Sequence, residues 1–222
     1  MVNELLPNVK WSLVWNATQQ TLYMTGISVV ATLFLGIILG LFLYLTDKGN
    51  LWENKIIHAI TAAFVNIFRS IPFIILIILL IPFTLFVVGT FLGAKAALPA
   101  LIIGAAPFYA RMVEIALREI DKGVIEAAES MGATHLQIIF KVLIPESLPA
   151  LISGITVTAI ALVSFTAMAG FVGAGGLGDL AFLDGFQRSR NDVTLVATIV
   201  ILIIVFFIQS IGDFLKHATD KR

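Results

Sequence analysis

The chain has 222 residues, of which 59% are hydrophobic and 13% charged, and its mean hydropathy is +1.02. Soluble domains carry about 25% charged residues, so this composition specifies a membrane protein. Fourteen basic residues balance fourteen acidic ones, which argues against nucleic acid as a partner, and the absence of cysteine excludes disulfides, thiolate metal sites and thiol catalysis.

Residues 1–16 contain no basic stretch leading into an apolar one, so no cleavable signal peptide is expected there. They carry an apolar face (Leu5, Val9, Leu13) beside Trp11 and Trp15, the pattern of a segment lying against lipid headgroups on the extracytoplasmic side. A crossing helix needs about 20 apolar residues, and the charge-free intervals give five candidates. These are 21–46, 70–94, 96–110, 147–178 and 193–212. The third is short and contains Pro99 and Pro107; it extends to Met112 and Val113 if Arg111 snorkels at its end.

An odd number of crossings puts the termini on opposite sides, and Lys and Arg choose which. With the C-terminus inside, nine basic residues are cytoplasmic and four extracytoplasmic, Arg69 aside. The expected topology has the N-terminus outside and a short cytoplasmic tail over 216–222.

Glycines 173, 175 and 178 satisfy G-x-G-x-x-G. A dinucleotide loop must follow a strand, open a helix and meet an acidic residue about 20 positions later. Here the glycines end a long apolar helix, and position 198 is a threonine, so the pattern is not a nucleotide site. Glycines 170, 173, 175, 176 and 178 instead let the chain turn and pack closely near the outer interface. They either form a plain turn or shape the outer mouth of a pathway.

The most polar stretch runs from about 114 to 146. Apolar residues recur at Val113, Leu117, Ile120, Val124 and Ile125, then at Ile138, Ile139, Val142 and Leu143. That spacing predicts short amphipathic helices on the cytoplasmic face, with a turn at Gly132 and a capping box from Thr134 and Gln137. Ala127, Ala128 and Ala133 are small enough to enter a partner's cleft, and Glu126 can bond a partner cation. A solvated connector suits the same composition.

These residues carry a resemblance. E-A-A-x-x-x-G at Glu126, Ala127, Ala128 and Gly132, followed by Ile139 and Pro145, resembles the cytoplasmic loop of ABC-importer permeases of the type I fold. The segments "NIFRSIPFIIL", "IPFTLFVVGT", "GAAPFYARMVE", "ESMGAT" and "AMAGFVGAGGLGDLA" are similar to the methionine-uptake branch, and the likeness covers 17–215. It implies an all-α polytopic permease with five transmembrane helices and a coupling helix docking on an ATPase through Glu126, Ala127, Ala128, Gly132 and Ala133. It also implies partners: a second copy of the chain, two copies of a cytoplasmic ABC ATPase that hold the ATP and Mg, and an extracytoplasmic methionine-binding protein. No cofactor is expected on this chain.

No G-K-[ST] occurs, so no P-loop is present. His58, His135 and His217 are not spaced for a metal and read as solvated or interfacial. Arg69 snorkels to the inner surface if the second span starts at 70, and is an intramembrane functional cation if it starts nearer 60. Pro72 and Pro82 are positioned to kink that span. Met168, where the fourth span meets the glycines, is either a soft gate plug or ordinary packing. An ion-driven transporter would need acidic residues at depth, and the five candidate spans contain none.

Overall fold

Lipid offers the backbone no hydrogen-bonding partner, so a crossing chain must satisfy its own N–H and C=O groups. The computed structural model describes residues 6–219, and among these there are helices and turns but no strand. Leu5 of the N-terminal apolar face, and Lys221 and Arg222 of the tail, lie outside the described residues.

Helix α1, Trp11–Leu45, has 35 residues. It starts ten positions before the expected span, so residues 11–16 form its first turns rather than a separate surface segment. The cause is tertiary: Val14 and Ala17 bury themselves against Leu177, Val193 and Ala197. Just ahead of it, Asn8 donates through its backbone and side-chain N–H groups to Asp192 at 2.9 and 3.2 Å.

The second crossing differs most from expectation. Helix α2, Lys55–Ser70, is capped by Asn54, whose side chain accepts from the N–H groups of Ile56 and Ile57. It meets α3, Phe73–Leu79, at a bend of 106°, and α4, Ile81–Val88, follows. The expected span 70–94 is thus a broken one that begins in α2. Pro72 has no N–H and pushes Ile71 into extended geometry (φ −80°, ψ 122°), which ends α2. Pro82 sits in the first turn of α4, where proline costs little.

Helix α5, Ala94–Arg118, runs 25 residues with Pro99 and Pro107 inside it. Arg111 therefore lies within the helix rather than at its end. α1 and α5 form the most extensive helix pair. Gly36 receives the ring of Tyr109, and Gly40 receives Val113 and the carbonyl of Ala110. Small residues at such crossings let backbones approach closely.

The cytoplasmic loop folds as α6, Lys122–Ser130, and α7, His135–Ile138. α7 passes through a π turn, Ile139–Leu143, into α8, Ile144–Gly170. The fourth crossing thus stops at Gly170, eight positions short of expectation. The glycine segment forms a short separate helix, α9, Gly176–Asp179, continued by a π stretch over Leu180–Phe186. The last crossing, α10, Asn191–Thr219, overruns its predicted span at both ends.

Candidate functional site

The loop between α5 and α8 is built from local chemistry. Asp121 accepts from the Gly123 N–H at 2.8 Å and opens α6. Gly132 closes it in left-handed geometry (φ 79°). The Ala133 N–H donates to the Ala128 carbonyl and the Gly132 N–H to that of Glu129, at 3.1 and 2.8 Å. Those two bonds are a Schellman termination, which favours glycine at this position. The Thr134 hydroxyl then accepts from the Gln137 N–H while the Gln137 side chain accepts from the Thr134 N–H, the predicted capping box.

The three alanines do not share one surface. Ala128 is buried against Leu117, Ile138 and Ile139, and Ala133 packs half-buried beside it. Only Ala127 faces outward, next to exposed Glu126 and Glu129. The small size of Ala128 seats the helix on the protein's own core. The exposed apolar groups here are Met131, 84% exposed, with Val124, Leu136 and Phe140.

A buried acid anchors this loop to the spans. Glu114, 1% exposed, accepts from Arg111 at 2.6 Å and from Arg118 at 2.8 Å. Arg118 also reaches Asp47, just past α1, at 2.7 Å. Burial alone would raise the Asp47 carboxyl; hydrogen bonds from Arg118 and Lys48, with the charges of Arg118 and His58, outweigh it and hold the group below the usual carboxylate range. A depressed carboxyl contributes stability above its unfolded pKa and loses it as pH falls through the folded value, so this tie is intact at neutral pH. Sequence reading passed over Glu114. The available signal was its spacing, with arginines at i−3 and i+4 on one helix face.

Two of the three histidines, His58 and His135, are more engaged than the sequence suggested. The His58 Nδ1 lies 3.1 Å from the Leu43 carbonyl, and its Nε2 lies 3.8 Å from Asp47. The Trp52 indole N–H donates to His135 Nδ1 at 3.2 Å, which ties the loop after α1 to the start of α7.

Beside the loop, Met112, Ile115, Glu119, Val124, Ser153 and Gly154 line a groove of about 530 Å³ between α5, α6 and α8. From the loop, one helical run of 36 residues, His135–Gly170, leads to the other end of the molecule. Met168 projects there, 41% exposed, from the last turn. Gly173 (φ 88°) terminates that helix with the same pair of bonds seen at Gly132, from the Ala174 N–H to the Ala169 carbonyl and from the Gly173 N–H to the Gly170 carbonyl. A Cβ on Gly170 or Gly178 would collide with backbone of the facing segment. The glycines thus fix a close crossing under Met168.

Arg69 and Pro72 stand apart from the loop, at the α2–α3 corner, and both are exposed. Next to Pro72, Phe73 stacks on Phe165 of α8 with ring centroids 4.5 Å apart. This places the corner one turn from Met168 along α8, and far from the loop residues Glu126 to Ala133.

Long apolar helices carry a polar loop, and one continuous helical run joins that loop to the far end of the molecule. Residues 33–222 match the family described as the binding-protein-dependent transport system inner membrane component. The chain belongs to that family.

It is 65% identical, over 222 residues and the full length of both chains, to the methionine import system permease protein MetP of Bacillus subtilis (strain 168). To the D-methionine transport system permease protein MetI of Escherichia coli (strain K12) it is 49% identical over 160 residues, 72% of this chain and 73% of that one. An inward-facing structure of the MetNI methionine ABC transporter matches it with a TM-score of 0.93 and 44% identity, covering 95% of this chain and 98% of the other. An amino acid ABC transporter solved with histidines gives a TM-score of 0.76 at 18% identity and shares the fold. As a member of that family the chain is membrane-embedded, as its composition specified, and its described residues form helices and turns without a strand.

Proposed function

We propose that this chain is the permease subunit of an ATP-driven importer of methionine in the bacterial cytoplasmic membrane. The observation that carries this reading is the 65% identity, end to end, to a methionine import permease. The permease domain spans about 17–215 with its coupling loop over 114–146. It works as a homodimer with two copies of a cytoplasmic ATPase, which hold ATP and Mg, and an extracytoplasmic protein that delivers the amino acid. Glu126, Ala127, Gly132 and the exposed Met131 face the ATPase, while Ala128 and Ala133 seat the docking helix. When the ATPases close, the loop moves, and the rod His135–Gly170 carries that movement to Met168 at the outer mouth.

The decisive experiment reconstitutes the purified permease with the ATPase and binding protein in vesicles. Methionine is expected to stimulate ATP hydrolysis and accumulate inside, and other amino acids are not. Stimulation by a different amino acid, with methionine inert, would reassign the substrate. The same vesicles test the gate: Met168→Ala should raise basal ATPase activity or leak relative to the stimulated rate, and an unchanged ratio with unchanged leak would remove Met168 from that role.

The charge distribution supports an extracytoplasmic N-terminus and cytoplasmic C-terminus. Because the chain has no cysteine, single cysteines report topology cleanly. Cysteines at Thr90 and Asp184 are expected to react with an impermeant reagent from outside intact cells, and one at Lys122 is not. External labelling at Lys122 would invert the assignment.

A further inference from the structure

A second groove runs along the spans on the opposite face of α8 from the one beside the loop. Ser153 and Val157 line the first, together with Glu119, Glu146 and Lys216. Leu148 and Ile155, half a helical turn away, line the second. This second groove is walled by α1, α8 and α10 and holds about 630 Å³, within the usual size of a ligand cleft. On α1 it extends from Leu22 to Ile37 and on α8 from Ile144 to Ala159, in each case about 22 Å at 1.5 Å per residue. One end lies at Ile144, the first residue of α8, and so at the loop end of the spans.

Among the described residues no charged side chain lines this groove, and its polar groups are engaged or turned away. The Tyr109 hydroxyl donates to the Leu151 carbonyl at 3.2 Å, and that of Thr156 to the Ile152 carbonyl at 2.7 Å. The Thr25 Oγ1 is buried within the protein.

Gly26 is a separate sign that something outside the chain lies here. Glycine weakens a helix interior relative to alanine. Gly36 and Gly40 of α1 answer to packing, since a Cβ on either would collide with Tyr109 or Val113. Gly26 lines the groove, and no facing atom among the described residues comes within 4 Å of where its Cβ would stand. Its missing side chain widens the groove and serves no contact within the protein.

Lipid tails are as apolar as these walls, and the dimensions choose between a lipid chain and a protein segment. About 630 Å³ over about 22 Å leaves a mean cross-section of about 29 Å², a width of about 6 Å. A helix with its side chains is about 10–12 Å across and does not fit, whereas an extended hydrocarbon chain does. Lys141, exposed in the turn before Ile144, puts a cation at the loop end, where a lipid phosphate would lie.

We infer that this groove binds one acyl chain of a phospholipid from the leaflet on the loop side, as a resident part of the permease. The chain fills the space between α1 and α10 and supports α8, the helix that joins the loop to the far end of the molecule. The site needs the bilayer, and neither a particular substrate nor a particular orientation of the termini.

The test reconstitutes the assembled complex in vesicles of phosphatidylethanolamine and phosphatidylglycerol with brominated chains. The complex is then re-extracted, washed with lipid-free detergent, and its retained lipid counted by mass spectrometry. Wild type is expected to keep a brominated phospholipid on each permease copy. Gly26→Phe, which puts a ring into the open space, should lower retention about tenfold or more. Leu148→Trp narrows the groove from α8 and should lower retention as well, so the outcome does not hang on one variant inserting. Ile38→Phe, at a half-exposed α1 position outside the groove, should leave retention unchanged. Wild type washed clean of lipid, or retention that fails to separate the groove variants from Ile38→Phe, overturns the inference. Loss of the permease dimer in Gly26→Phe with lipid retention unchanged would assign the groove to a second copy of the chain and overturn it too.

Discussion

Replacing Gly132 with aspartate is expected to abolish uptake while the permease still inserts and dimerises. Gly132 holds a left-handed backbone (φ 79°), and nothing lies within 4 Å of where a Cβ would stand. Adopting that conformation costs an ordinary L-residue about 1–2 kcal/mol, and aspartate is among the side chains that tolerate it best. The strain is thus confined to the end of α6. The open space has a second meaning, because the new carboxylate would stand at the exposed end of the helix that also carries exposed Glu126 and Glu129, in the surface proposed to meet the ATPase. An unpaired charge buried in such an interface costs about 2–5 kcal/mol, enough to empty the docked state. Gly132→Asn is the control, with similar backbone strain and no charge. Uptake, co-purification of the ATPase and membrane level should be measured together. Normal coupling of hydrolysis to uptake in Gly132→Asp would remove this loop from the ATPase contact.

The loop was legible because its determinants are local. A glycine at a helix end and a Thr-x-x-Gln pair act within four residues of chain, and both operate as the sequence implies. The outer turn uses the same termination at Gly173, but five crowded glycines gave no hint that Gly173, Gly175 and Gly176 would take positive φ while Gly170 and Gly178 pack against backbone. Ala128 was misread for a different reason. Its burial depends on Ile138 and Ile139 folding back beneath it, a contact that no helical period within α6 encodes.

The broken second crossing was hidden by composition. Lys55, His58 and Arg69 dilute the hydropathy of α2, so charge-free counting began the span only after Arg69. Pro72 announced a kink, but its angle of 106° is set by where Phe73 lands, against Phe165 and Gly104. Glu114 was hidden by its setting among other charges, where an acidic residue reads as solvated until the helices around it are placed.

Removing the Glu114 carboxylate is expected to loosen the inner end of the spans and to couple with Asp47. Glu114→Gln keeps the volume and removes the charge shared by Arg111 and Arg118. Deleting one member of a fully buried ion pair costs about 3–5 kcal/mol. Here both arginine side chains are more than a third exposed, at 41% and 46%, and can turn to water, so a loss of about 1–3 kcal/mol is expected. In the variant, Arg118 still holds Asp47, and the acid sensitivity of that tie should remain: intact at neutral pH, lost as pH falls through the lowered Asp47 pKa. Asp47→Asn should remove that sensitivity instead. Because Arg118 keeps one acid in either single variant and loses both in the double, the double variant should be more destabilised than the sum of the singles, by about 0.5–3 kcal/mol. The measurement is the rate of thermal inactivation in vesicles at neutral and acidic pH for the four proteins of the cycle. Strict additivity would show that Glu114 and Asp47 act independently, and the loop would then lack the charged anchor described for it.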